Sequence, residues 1–120
     1  MRYVYISSIL GATAVALGAF GAHVLSDILS VDRLNTFEKA VFYHMVHTVL
    51  IAVLDMQNKC NFIWSKRLLL LGILIFSGSL YLLVLTNTPW LGAITPVGGM
   101  CFILGWLFIA IEFKRKVKQT

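Results

Sequence analysis

The chain has 120 residues, of which 59% are hydrophobic and 12% charged, and its mean hydropathy is +0.87. A soluble domain of this size keeps about a quarter of its residues charged, so long apolar runs with charge confined between them mark a membrane protein. The net charge of +5 would suit nucleic acid, but the basic residues border apolar segments, where membrane topology and anionic lipid account for them. Nucleic acid is therefore excluded as a partner.

The first apolar run covers residues 3–25. Ala19-Phe20-Gly21 ahead of Ala22 has the small-residue pattern of a signal-peptide cleavage site. The run is longer than the roughly 7–15 apolar residues of a signal core, however, and only Arg2 precedes it. It reads as a retained helix. Gly11, Ala14, Gly18 and Ala22 recur along it at steps of three and four, which lets a second helix approach closely.

Residues 24–36 set Asp27, Asp32, Arg33 and Asn35 among Leu25, Ile28, Leu29, Val31 and Leu34. The pattern fits an amphipathic segment in the headgroup region or a loop with buried aliphatics. A second span follows at 37–54, then a polar connection from Asp55 to Lys66. The third span, 68–85, contains Gly72 and Ser77-Gly78-Ser79, and the uncharged turn after it carries Pro89 and Trp90. The fourth, 92–111, has Thr95-Pro96 near its start, Gly98-Gly99 one turn in, and a basic tail behind Glu112. Proline is tolerated in a first helical turn. The close-packing positions expected beyond the first helix are Gly78, Gly98 and Gly99.

Four crossings make one all-α, polytopic integral membrane domain over residues 1–120. They place both termini and the middle connection on one side. That side collects Arg2, Lys59, Lys66, Arg67, Lys114, Arg115, Lys116 and Lys118, eight of the ten basic residues. Basic loops remain cytoplasmic, so the expectation is a multi-pass plasma-membrane protein with both termini inside. Cys60 then faces a reducing compartment and Cys101 lies within a span. Both are expected as free thiols.

In this topology His23, Glu38, Tyr43, His47 and Thr95 share the outer leaflet. They form a candidate polar cluster around the second helix, where buried polar groups are costly unless they meet partners. At about 100° per residue, Tyr43 and His47 are neighbours while Glu38 lies on the opposite face from His47. Glu38 reads either as part of a proton path with His23 and Tyr43 or as a solvated interfacial charge. His44 and His47 are three apart on one helix, which makes an incomplete metal site. No metal or cofactor is expected. Ser77 and Ser79 have no base fixed beside them and read as packing groups.

The chain resembles the YgdD/YwdK-like family of small four-helix membrane proteins. The resemblance is carried by Gly18-Ala19-Phe20-Gly21-Ala22-His23, Phe37, Ala40-Val41, Tyr43 and His47, and by Ser77-Gly78-Ser79-Leu80-Tyr81. Gly92-Ala93-Ile94-Thr95-Pro96-Val97-Gly98-Gly99 and Gly105-Trp106 complete it. The family usually has glutamine where His44 stands and tyrosine where Val46 stands, so His44 is not one of its features. The resemblance implies the same four-helix fold and brings no reaction with it.

The reading is a non-enzymatic membrane protein acting through packing, membrane lipid, or a second membrane-embedded chain, either a copy or another protein. The alternative is a small-solute or ion pathway built as an oligomer around the His/Tyr/Glu cluster. A membrane enzyme or redox protein using the histidines ranks third.

Overall fold

The computed structural model describes residues 2–120, and among these there are helices and turns but no strand. Four helices are each long and apolar enough to cross a membrane. They are α1 (Arg2–His23), α2 (Val31–Met56), α3 (Ile63–Thr86) and α4 (Thr95–Gln119). Helix α3 is continuous, with a π-helical turn at Ile73–Ser77 between two α-helical parts. Short 3-10 turns at Leu25–Asp27 and Pro89–Ala93 lie in the connections before α2 and α4.

The bounds differ from the sequence expectation for local reasons. Helix α2 begins at Val31, not 37, because Ser30 caps it: the serine backbone is extended and its Oγ accepts the Arg33 N–H at 3.3 Å. Asp32 in the first turn adds a favourable charge at the positive end of the helix dipole. The stretch 24–36 is thus divided between a turn that buries Leu25 and the opening of α2. Helix α3 begins at Ile63, not 68, and α4 carries the basic tail as helix to Gln119, well past 111. Its regular part starts at Thr95, not 92, with Pro96 in the first turn.

Helix α1 packs along α2, α3 packs along α4, and the two pairs meet where α2 lies against α3. Two buried apolar groups hold them. Ile51, Leu54, Phe62, Leu69, Ile73 and Phe102 form one, toward the end that carries the termini. Leu25, Phe37 and Val84 form the other at the far end.

Small residues set the close approaches. On α1, Ala14 is fully buried, while Gly11 and Gly18 face Thr48 and Val41 of α2. Ala22 does not continue this stripe: it is exposed, and Gly21 takes its place, where a Cβ would stand 2.9 Å from the Phe37 ring. On α4, a Cβ at Gly98 would stand 2.7 Å from Phe76 Cα, so only glycine fits. A Cβ at Gly99 would make ordinary contact with the Phe76 ring at 3.8 Å, and one at Gly78 would meet nothing within 4 Å. Gly72 and Gly105, which are not among the expected packing positions, are tight. Their Cβ atoms would meet Phe102 at 2.5 Å and Leu69 at 2.8 Å.

The π-helical turn divides α3 between its neighbours. Phe76 lies against Gly98 of α4, whereas the next residue, Ser77, is fully buried and donates its hydroxyl to Ala40 O of α2 at 2.8 Å. A π-turn fits one extra residue into the helix, and consecutive side chains here serve two different helices.

Candidate functional site

Polar side chains gather at two levels. In the middle of the bundle, His47 on α2 is buried between α2 and α4, with its ring stacked on Phe102 at a centroid distance of 3.7 Å. Its Nδ1 stands 2.7 Å from Tyr43 O, so that nitrogen carries the proton. The other nitrogen, Nε2, accepts the indole N–H of Trp106 at 3.1 Å. Both ring nitrogens are committed, and the partners assign a neutral imidazole with one tautomer.

Tyr43 stacks beside His47 with its ring centroid 5.9 Å away and packs against Phe76 at 4.7 Å. One turn along, buried His44 reaches Tyr81 of α3, with 2.9 Å between Nδ1 and the phenol oxygen. Thr48 donates its hydroxyl to His44 O at 2.6 Å. The hydroxyls of Ser79 and Thr95 are hydrogen-bonded at 2.6 Å and join α3 to the start of α4.

The sequence candidates therefore separate. Tyr43 and His47 come together on the seam with α4, and Thr95 pairs with Ser79 instead of with them. His23 and Glu38 are exposed. Among the described residues no three His, Cys, Asp or Glu side chains stand together as a metal-ligand set. Cys60 and Cys101 are free thiols.

The second level was not singled out from the sequence. At the end of the bundle that carries the termini, Asp55 and Lys66 form a buried ion pair at 2.6 Å. The other oxygen of Asp55 accepts the Val4 N–H at 2.9 Å, capping the first turn of α1. Glu112, also buried, does the same for α3. Its Oε1 accepts the Trp64 N–H at 2.9 Å, and its Oε2 accepts both the Ser65 N–H at 3.0 Å and the Ser65 hydroxyl at 2.6 Å. The first N–H groups of any helix lack internal partners and attract negative charge. These two carboxylates supply it from neighbouring helices. At the opposite end Arg33 donates to Val84 O, a carbonyl in the last turn of α3, where a cation suits the dipole. The available signal for these groups was their cost: an acid or lysine inside or beside an apolar span needs a named partner.

Gln57 orders the connection between α2 and α3. Its Oε1 accepts the backbone N–H groups of Lys59 and Cys60 at 2.9 and 3.1 Å, and its amide donates to Leu54 O at 2.8 Å. Phe62 closes the connection in the left-handed region, with φ of 48°, while its side chain enters the core. A bulky residue there is strained, and burial of the ring offsets the cost.

Two indentations are of note. One, of about 650 Å³, opens between the α2–α3 connection and the last turns of α4, and is rich in polar groups. The other, of about 390 Å³, is an apolar groove floored by Tyr43, His47, Phe102 and Trp106.

The sequence pattern of a family described as "Protein of unknown function (DUF423)" matches residues 17–99. A UPF0382 membrane protein of Staphylococcus haemolyticus is 43% identical over 113 residues, covering 92% of this chain and 93% of the relative. The UPF0382 inner membrane protein YgdD of Escherichia coli is 41% identical over 117 residues, covering 92% of this chain and 89% of the relative. No solved structure matches the chain.

Proposed function

The chain belongs to the DUF423 family, whose similar relatives carry the name UPF0382 membrane protein, and we propose that it is a non-enzymatic membrane protein that works by binding. Its partners are membrane lipid or a second membrane-embedded chain, met through its helix faces and its basic end. We place it in the plasma membrane with both termini cytoplasmic. The eight basic residues on the side of the termini and the middle connection support that orientation, and the name of the Escherichia coli relative, an inner membrane protein, supports the membrane assigned.

The observation that carries the non-enzymatic reading is the commitment of three buried side chains, His47, Asp55 and Glu112, although buried His44 Nε2 has no hydrogen-bond partner. His47 spends both nitrogens on protein partners, Asp55 is divided between Lys66 and α1, and Glu112 holds three donors of α3. A general base or a proton relay needs a group able to exchange partners at an accessible site. These groups close the bundle instead.

Native mass spectrometry on protein extracted gently from its own membranes tests the proposal. Lipid or a second chain retained on the 13.4 kDa protein is the expected result. A solute or ion flux in proteoliposomes that disappears in His47→Ala, with helical content intact, would replace binding by a pathway.

A further inference from the structure

The cleft between the α2–α3 connection and the end of α4 is built from two ordered walls. One wall is the connection itself, held by the four Gln57 hydrogen bonds and tied to α4 where the Cys60 thiol donates to Glu112 O at 3.6 Å. The other is a single face of α4. Glu112, Arg115, Lys116 and Gln119 follow one another at steps of three, one and three, which puts them on one side of a helix. Glu112 is bound to the first turn of α3, so this face is fixed toward the cleft. Lys114 and Lys118, on the same tail, do not line it.

The charges of the walls do not balance. Lys59, Lys66, Arg115 and Lys116 line the cleft together with Asp55 and Glu112. Lys66 and Asp55 neutralise one another, and Glu112, held by three neutral donors of α3, keeps its negative charge, so four cations face two anions and the cleft is basic by two charges. Among the described residues Lys59, Arg115 and Lys116 take part in no ion pair. Asn58, Asn61 and exposed Trp64 also line the cleft.

We infer that this cleft binds a phosphate-bearing anion, held by Lys59, Arg115 and Lys116. Arginine and lysine side chains lining one cleft suit tetrahedral phosphate oxygens, and an exposed tryptophan beside them suits headgroup depth. The inference deepens the binding role proposed above and rests on it, and the shared chemistry admits two sources: an anionic phospholipid headgroup of the cytoplasmic leaflet or free phosphate.

Two double variants remove equal charge from the same tail. Arg115→Gln with Lys116→Gln strips the cleft, and Lys114→Gln with Lys118→Gln strips the tail outside it. The full-length protein in detergent is offered equal amounts of phosphatidylglycerol and phosphatidylcholine, and retained lipid is weighed by native mass spectrometry. Wild type and Lys114→Gln/Lys118→Gln are expected to retain phosphatidylglycerol preferentially. Arg115→Gln/Lys116→Gln should lose the preference by roughly fivefold for each charge removed, the scale of one basic residue at an anionic surface. In a parallel arm, inorganic phosphate is titrated without lipid and tryptophan emission is followed. Saturable binding that disappears in Arg115→Gln/Lys116→Gln, without lipid preference, names free phosphate as the source.

Equal loss in both double variants would mean diffuse attraction to the tail and would overturn the inference. So would a wild type that shows neither lipid preference nor phosphate binding. Orientation is read separately, from labelling of Thr120→Cys in a Cys60→Ser background with an impermeant thiol reagent on intact cells. Labelling from outside would overturn the cytoplasmic placement while leaving the result in detergent as it stands.

Discussion

Glu112 and Ser65 meet across the α3–α4 seam through one carboxylate oxygen, which accepts both the serine N–H and its hydroxyl, at 3.0 and 2.6 Å. A charge usually reserved for the helix's own cap residue is here delivered by the helix that follows. Glu112→Ala leaves the Trp64 and Ser65 donors unpaired at a buried site and should cost about 2–3 kcal/mol, the scale of unsatisfied buried donors. Glu112→Gln keeps an acceptor oxygen and should cost roughly half as much. Reversible unfolding in mixed micelles with increasing dodecyl sulfate gives both values. Equal stability of Glu112→Ala and wild type would show that water takes over the cap.

Asp55 and Lys66 form a buried pair in which each partner answers for the other. Lys66→Met strands the carboxylate and should destabilise the bundle by about 3–5 kcal/mol. Adding Asp55→Asn removes the stranded charge yet keeps an acceptor for Val4 N–H, so the double variant should be more stable than Lys66→Met alone. The same unfolding assay decides, and additive losses would argue against a coupled pair.

His47 combines a stacked ring with a hydrogen bond from Trp106. His47→Phe preserves the stack on Phe102 and removes both the acceptor for Trp106 and the Nδ1–H donor to Tyr43 O, for an expected cost of about 1–2 kcal/mol. His47→Ala loses the packing as well and should cost about 2–4 kcal/mol. With Trp64 and Trp90 replaced by phenylalanine, the emission of Trp106 should shift in His47→Phe. An unshifted spectrum would remove the indole–imidazole contact from the account.

Two glycines of the expected packing set should respond in opposite directions. Gly98→Ala drives a methyl into the Phe76 backbone and should be strongly destabilising. Gly78→Ala meets nothing within 4 Å and gains helix propensity, so it should be neutral or stabilising by about 0.5–1 kcal/mol. Thermal melting of the two variants side by side is sufficient to check this.

Apolar run length made the four spans visible in the sequence, and helical periodicity made Tyr43 and His47 neighbours. Both are local properties that a single segment reports about itself. The cap of α3 was not visible, because its acceptor, Glu112, lies 47 residues from Ser65. Asp55 and Lys66 read as parts of a polar connection because nothing in either segment shows that folding buries both. Small-residue spacing pointed to Gly11, Ala14, Gly18 and Ala22; Gly11 and Gly18 face α2 and Ala14 is buried, whereas Gly21, not Ala22, meets Phe37. The choice between a step of three and a step of four depends on how α2 crosses, and α1 alone does not contain that information. Thr95 and Tyr43 share a depth, but depth does not fix which neighbour a side chain finds.

The capping carboxylates also give the bundle an order of completion. Each belongs to the descending limb of a helical hairpin and seals the first turn of the ascending limb: Asp55 for α1 with α2, Glu112 for α3 with α4. A hairpin entering the bilayer is thus closed at its open ends by its own second limb, without waiting for the rest of the chain. Among the described residues the ion pair between the two hairpins is made by Lys66. Until it arrives, Asp55 is a sealed cap that still carries an unmatched charge, and docking of the two hairpins removes it.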